Sequence, residues 1–218
     1  MLIHTIPTPT HGRYLVDRPA GDGPFPLLVG FHGYRESADD MLAELVRIRG
    51  DRRWLLASVQ ALNRFYDRDN TKVIAGWMTR QDRELAIADN ITYVASVVAA
   101  LRRDHPTTDA LVYAGFSQGA AMAYRAAAFA GPASGVIVLA GDVPPDVAPR
   151  ATFLPPILIG RGTTDHWYTG PKAEADLAVL RDAGTSFDVH VFEGGHVWEA
   201  SFRTRAGEFL DAVDERRG

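Results

Sequence analysis

The sequence predicts an α/β fold built on a mostly parallel sheet, and three observations carry that prediction. Short apolar runs rich in Val, Ile and Leu alternate with longer amphipathic stretches along the whole chain. The runs are apolar at nearly every position, as strands covered by helices on both faces require. The 218 residues, 46% hydrophobic and 23% charged, have the composition of an ordinary globular chain and suffice for one sizeable core. Residues 1–218 therefore read as a single domain, with no repeat, linker or low-complexity tract.

In chain order, residues 5–16 can form an antiparallel edge hairpin turning at Pro7, Pro9 and Gly12. FPLLVGF at 25–31 is the first buried strand, and Ser37 is placed to cap a helix over 38–49 that stops at Gly50. A second strand follows at 54–59. Over 82–103, Leu85, Ile87, Ile91, Val94, Val98 and Leu101 recur at helical spacing. Strands at 110–115, 135–139 and 157–160 alternate with helices at 117–130 and 171–183, Pro171 suiting a first helical turn. FDVHVF at 187–192 alternates like a strand near an edge, and a last helix covers 197–213. Residues 142–156 leave too little chain for a helical cap domain.

Composition narrows the chemistry. The chain has no cysteine, which removes disulfides, thiolate metal sites and cysteine nucleophiles. Net charge is −4, no long run of either sign occurs, and all basic residues except Lys72 and Lys172 are Arg. No nucleic-acid footprint is expected from that pattern. The N-terminal segment lacks the basic start and apolar stretch of a signal peptide, and no membrane-inserting segment is expected. A cytoplasmic protein, monomeric or homodimeric, is the expectation.

The sharpest local signal is GFSQG at 115–119, lying between an apolar strand and an amphipathic helix. A serine raised on a strand-to-helix turn needs small neighbours, which Gly115, Gly119, Ala120 and Ala121 supply. The helix start also aims unpaired N–H groups at the site. A serine nucleophile needs a histidine base and an orienting carboxylate, and in this motif's setting the acid precedes the base along the chain. Among His166, His190 and His196, the last lies on a Gly-Gly loop just past a strand and is the favoured base. Asp165 and Asp142 each end a core strand; Asp165 is favoured as the acid, with Asp142 its rival. The FHGY segment at 31–34 ends the first core strand, and its loop offers a second oxyanion donor. Backbone N–H groups of Tyr34 and Gln118 fill that role, so their side chains need carry no information. His32 then steadies the loop.

FHGY, GWM at 76–78, GFSQG, the strand ending at Asp165 and GGH at 194–196 resemble, in this order, the phospholipase/carboxylesterase family of α/β-hydrolases. The resemblance spans residues 25–213. It implies an α/β-hydrolase fold with helices on both sheet faces, a Ser117–His196–Asp165 triad and an oxyanion hole at Tyr34 and Gln118. It also implies a serine hydrolase that cleaves small to medium carboxylic esters or thioesters through an acyl-enzyme, with no cofactor and no metal. Two segments depart from the family pattern: Tyr34-Arg35-Glu36-Ser37 after HG, and Met78-Thr79 after Trp77. Both help shape the cleft, so acyl preference is not carried over. Trp77, Trp167 and Phe65 are candidate substrate-binding aromatics at an open cleft. The competing readings are a ligand-binding protein that keeps the fold without catalysis, and metal-dependent hydrolysis at His32, His166, His196 and Asp165. A dienelactone-hydrolase type of reaction through cysteine is excluded, whereas a serine relative of that group is not.

Overall fold

The computed structural model describes residues 1–216. Seven strands form one sheet: β1 (Arg13–Asp17), β2 (Phe25–Phe31), β3 (Leu55–Gln60), β6 (Thr107–Phe116), β7 (Gly135–Leu139), β8 (Ile157–Gly162) and β9 (Phe187–Phe192). Their order across the sheet is β1-β3-β2-β6-β7-β8-β9. All neighbours are parallel except β1, which runs antiparallel to β3 in the register Arg13 to Gln60. Strands β2, β3 and β7 are buried at every residue, which is why β2 and β7 read as unbroken apolar runs and β3 as one broken only by Ser58 and Gln60.

Helices α1 (Ala38–Arg49), α2 (Arg83–Asp104), α3 (Gln118–Phe129), α4 (Gly170–Asp182) and α5 (Ala200–Glu215) supply the crossovers. Helix α1 packs on α5, while α2 packs on α3, so both faces are covered. Ser37 caps α1 in a reciprocal capping box with Asp40, and Gly50 ends it at φ 54°. Helix α2 is long and apolar enough to cross a membrane; here its Ile87, Val94, Val98 and Leu101 are buried in the core. Leu85, expected on that stripe, is exposed instead.

The edge hairpin expected over 5–16 does not form. Residues 1–12 hold no strand, and β1 takes its partner from β3. Pro7 and Pro9 lack the N–H groups that a hairpin strand would donate. A second, two-stranded sheet escaped the sequence reading: β4 (Asn63–Tyr66) with β5 (Val73–Gly76). Between β7 and β8 only a short 3-10 turn, Ala148–Phe153, intervenes, and no helical cap forms there.

The chain moves one way from β2 to β3, then crosses back to place β6 on the other side of β2. The carboxyl ends of β2 and β6 thus flank the point where strand order reverses, the place where open α/β sheets form their clefts.

Candidate active site

Ser117 follows β6 directly and precedes the first residue of α3, at φ 52° and ψ −117°. A non-glycine residue in that left-handed region is strained, and a strand-to-helix elbow is where such strain is found. The small neighbours are enforced by contact. A Cβ on Gly119 would sit 2.0 Å from the Phe31 carbonyl oxygen, and one on Gly115 would sit 2.2 Å from that of Gly119. The elbow is therefore held against the end of β2.

His196 follows β9, and Asp165 follows β8. The two loops are stitched together by Thr163 N–H to Phe192 O and Thr164 N–H to Gly194 O, both 2.9 Å. His196 Nδ1 lies 2.8 Å from Asp165 Oδ2. The other carboxylate oxygen, Oδ1, accepts N–H bonds from Trp167 at 2.7 Å and Tyr168 at 2.9 Å. Burial pushes the Asp165 carboxyl up, but those two amides and the His196 ring outweigh it and hold the group below the usual carboxylate range. Asp165 thus stays ionised and fixes the His196 ring with Nδ1 as the donor. The ring packs on Phe116, the residue before Ser117, at 4.9 Å between centroids.

Ser117 and His196 line one cleft of about 290 Å³, together with Gln118, Ala121, Val143, Pro144 and Trp167. The serine hydroxyl and the imidazole are not hydrogen-bonded to each other here; such bonds tighten when substrate binds. Asp142 lies on the cleft wall, 3.7 Å from Lys172, and makes no hydrogen bond to the imidazole, whose Nδ1 is taken by Asp165. His166 is exposed, and His190 Nε2 meets Ser201 Oγ at 2.8 Å.

Gln118 opens α3, so its N–H has no acceptor within the helix. Among the described residues the Tyr34 N–H has no acceptor either. The loop bearing it is fixed by Gly33 N–H to Glu36 Oε2 at 2.6 Å, by Arg35 N–H to Ala75 O, and by Ala75 N–H to Glu36 O. The Glu36 carboxyl is pushed up from its ordinary value, chiefly by burial. His32 is fully buried: Nδ1 donates to Gly33 O at 2.7 Å and Nε2 accepts the Ala61 N–H at 3.1 Å. Burial lowers its pKa, which keeps the ring neutral and both nitrogens committed. Among the described residues no group of His, Asp and Glu is arranged to hold a metal ion.

Of the three aromatics expected to bind substrate, only Trp167 stands on the cleft, 74% exposed. Trp77 is 0% exposed: its Nε1 donates to His32 O at 2.8 Å and its ring meets Phe31 edge-on. Phe65 packs on Tyr34, and neither of these two residues lines the cleft. Both expectations are corrected. Tryptophan carries a polar N–H that finds a partner when buried, and sequence alone does not separate that state from a rim position.

The structure also adds residues that the sequence reading passed over. The Gln118 side chain accepts Trp77 N–H at 2.7 Å and donates to Met78 O at 3.1 Å, tying the elbow to that segment. Its side chain is thus informative after all. With the Gln118 N–H as the expected oxyanion donor, Gln118→Ala should lower kcat about 10- to 30-fold with KM nearly constant, since it loses two hydrogen bonds of about 1 kcal/mol each that hold this residue in place; steady-state kinetics on an aryl ester measures this. Arg125, buried beneath the cleft, holds Asp146 through two bonds of 2.8 and 2.7 Å.

Asp176 of α4 accepts Val143 N–H at 3.0 Å and Tyr168 O–H at 3.1 Å, joining two cleft walls. Burial pushes its carboxyl up to about 6. Between the ordinary carboxylate range and about 6 the folded state holds a proton that the unfolded chain has lost, so this group's contribution to stability falls as pH rises through that window. Asp176→Asn, neutral at every pH, should therefore raise Tm more at pH 8 than at pH 5; calorimetry at both values checks it.

A family model described as the dienelactone hydrolase family matches residues 56–209. The chain belongs to the dienelactone hydrolase family. As a member it is a hydrolase, and the family supports action on esters. A search of curated proteins returned no match. Among solved structures, esterase PE8 is 24% identical with a TM-score of 0.72, over 93% of this chain and 98% of that one. A Bacillus cereus carboxylesterase is 16% identical at 0.73, over 93% and 94%. Acyl-protein thioesterase 2 of Zea mays is 18% identical at 0.69, over 93% and 99%. These likenesses show the α/β-hydrolase fold, in agreement with the phospholipase/carboxylesterase resemblance of the motifs. This dienelactone hydrolase family member has no cysteine to act as nucleophile.

Proposed function

We propose that this family member is a serine carboxylesterase acting through Ser117, His196 and Asp165. The observation that carries the reading is the 2.8 Å Asp165–His196 contact at the mouth of a cleft that also contains the elbow serine. In the reaction, Ser117 Oγ attacks the ester carbonyl carbon while His196 Nε2 takes the hydroxyl proton. The carbonyl oxygen becomes an oxyanion held by the N–H groups of Tyr34 and Gln118. The tetrahedral centre collapses, the alcohol leaves with the proton from His196, and an acyl-Ser117 remains. Water then attacks, His196 again accepts and returns a proton, and a carboxylic acid is released. Side chains and main-chain amides supply every step, without a cofactor.

The cleft is at the small end of ligand sites and has apolar walls at Val143, Pro144 and Trp167. Small to medium acyl groups fit it, on oxygen esters or thioesters. A series of p-nitrophenyl esters should give the highest kcat/KM at about two to six acyl carbons and a fall beyond. Flat activity out to long-chain esters contradicts the cleft assignment, and tight ester binding without turnover favours the alternative of a non-catalytic binding protein. We read residues 1–218 as one soluble, cytoplasmic catalytic domain, monomeric or homodimeric, with a small-molecule ester as its partner.

A further inference from the structure

Glu36 carries a half-buried carboxylate to which the fold gives no cation. Among the described residues no Lys or Arg stands within ion-pair distance of it. Burial pushes its carboxyl up, and Asp40 and Glu44 of α1 add to that push. Only the Gly33 N–H and the His196 ring pull it down. A charge kept in such a place is costly unless a hydrogen bond makes use of it. Among the described residues its side chain makes a single hydrogen bond, Oε2 accepting the Gly33 N–H at 2.6 Å.

That bond bears on the peptide between Gly33 and Tyr34, which is trans. A planar trans peptide points its N–H and C=O in opposite directions, so whatever fixes the Gly33 carbonyl also aims the Tyr34 N–H. Glu36 takes hold of Gly33 from both ends. Its carboxylate accepts the Gly33 N–H, and its own N–H donates to Gly33 O at 3.3 Å. His32 Nδ1 holds the same carbonyl at 2.7 Å. The turn needs such ties, because Arg35 within it stands at φ 66°, left-handed for a non-glycine residue. The carboxylate also fills the space beside Gly33, where a Cβ would come 2.9 Å from Oε2 and 3.1 Å from the Phe116 ring. Phe116 immediately precedes Ser117, so loop and elbow are seated on each other at this point.

We propose that Glu36 is a positioning residue of the oxyanion hole: its carboxylate holds the Gly33–Tyr34 peptide so that the Tyr34 N–H faces the oxygen of the tetrahedral intermediate. The role rests on the esterase reading. Glu36 acts through Gly33 and does not touch substrate. A donor aimed in advance favours the oxyanion over the ground-state carbonyl, so losing Glu36 reads on kcat and leaves KM alone. What the position requires is an acceptor of this length. Glutamine supplies one, because its Oε1 can accept the Gly33 N–H without a charge beside Asp40 and Glu44. Glu36 also stands one residue before the N-cap Ser37. A role confined to the start of α1 would appear in Tm and not in kcat.

Steady-state kinetics on an aryl ester tests this in the full chain with Glu36→Ala, Glu36→Leu and Glu36→Gln, beside inhibition by an aryl trifluoromethyl ketone. The ketone carbon bonds to Ser117 Oγ while the hydroxyl proton passes to His196, giving a tetrahedral oxyanion that does not turn over. Glu36→Ala should lower kcat about 10- to 100-fold with KM within about twofold, short of the loss expected for a donor removed outright. The inhibition constant of the ketone should rise by the same factor. Glu36→Leu fills the space without an acceptor; it should behave as the Ala variant does, and it carries the reading if that variant does not fold. Glu36→Gln should stay within about threefold of wild type in both readouts. A kcat near wild type in the Ala and Leu variants overturns the role. So does a fall in kcat with the ketone constant unchanged, or a Gln variant as impaired as the Ala variant. Failure of both the Ala and Leu variants to fold makes Glu36 structural only and overturns the role too. A wild-type chain that neither hydrolyses the ester nor binds the ketone overturns the esterase reading itself, whereas variants equal to an active wild type overturn the Glu36 role alone.

Discussion

Ser117→Ala should lower kcat for aryl ester hydrolysis by about 10^4-fold or more while leaving the fold intact, because serine hydrolases lose most of their acceleration with the nucleophile. The elbow contacts that shape the site come from Gly115 and Gly119, not from the Ser117 hydroxyl, so the variant should melt near the wild-type temperature. A residual rate within tenfold of wild type would mean that another group, or none, is acylated. The size of the effect follows from the roles proposed: without Oγ there is no covalent intermediate, and only the cleft and the oxyanion donors remain to orient water.

Asp165→Asn should cost a similar amount, about 10^4-fold in kcat, for a different reason. The amide can still accept the Trp167 and Tyr168 N–H bonds through one oxygen, so the loop keeps its shape. Its NH2 would then face His196 Nδ1 and turn that nitrogen into an acceptor. The proton would move to Nε2, where the base must be free to take one from Ser117. Asp142→Asn should lose far less, since Asp142 faces Lys172 rather than the imidazole. Equal losses in the two variants contradict the assignment of the acid.

The parts of the fold that were legible are those where one physical demand dominates. Strands β2 and β7 must be apolar on both faces, and the N-cap Ser37 and stop Gly50 of α1 carry their own chemistry. The β4–β5 hairpin was not legible: Asn63–Tyr66 is exposed at every residue, so no burial pattern marks it as a strand. The arrangement around Ser117 was readable because an elbow tolerates few sequences, and the order of Asp165 and His196 follows from the order of the strands they end. Trp77 and Phe65 misled because an aromatic near a cleft and an aromatic in a core look alike until their partners are known. The side-chain role of Gln118 and the bridge at Asp176 depend on contacts across 40 or 33 residues of chain, and no local pattern announces such contacts.

The central claim is that one serine, Ser117, becomes covalently acylated in the cleft beside His196. Treating the full chain with a fluorophosphonate and mapping the adduct by peptide mass spectrometry tests it directly. The account predicts one phosphonylated residue per chain, in the peptide containing GFSQG and on Ser117, with loss of esterase activity in step with labelling. An unmodified chain that still hydrolyses ester, or an adduct on a different residue with Ser117 free, would contradict it.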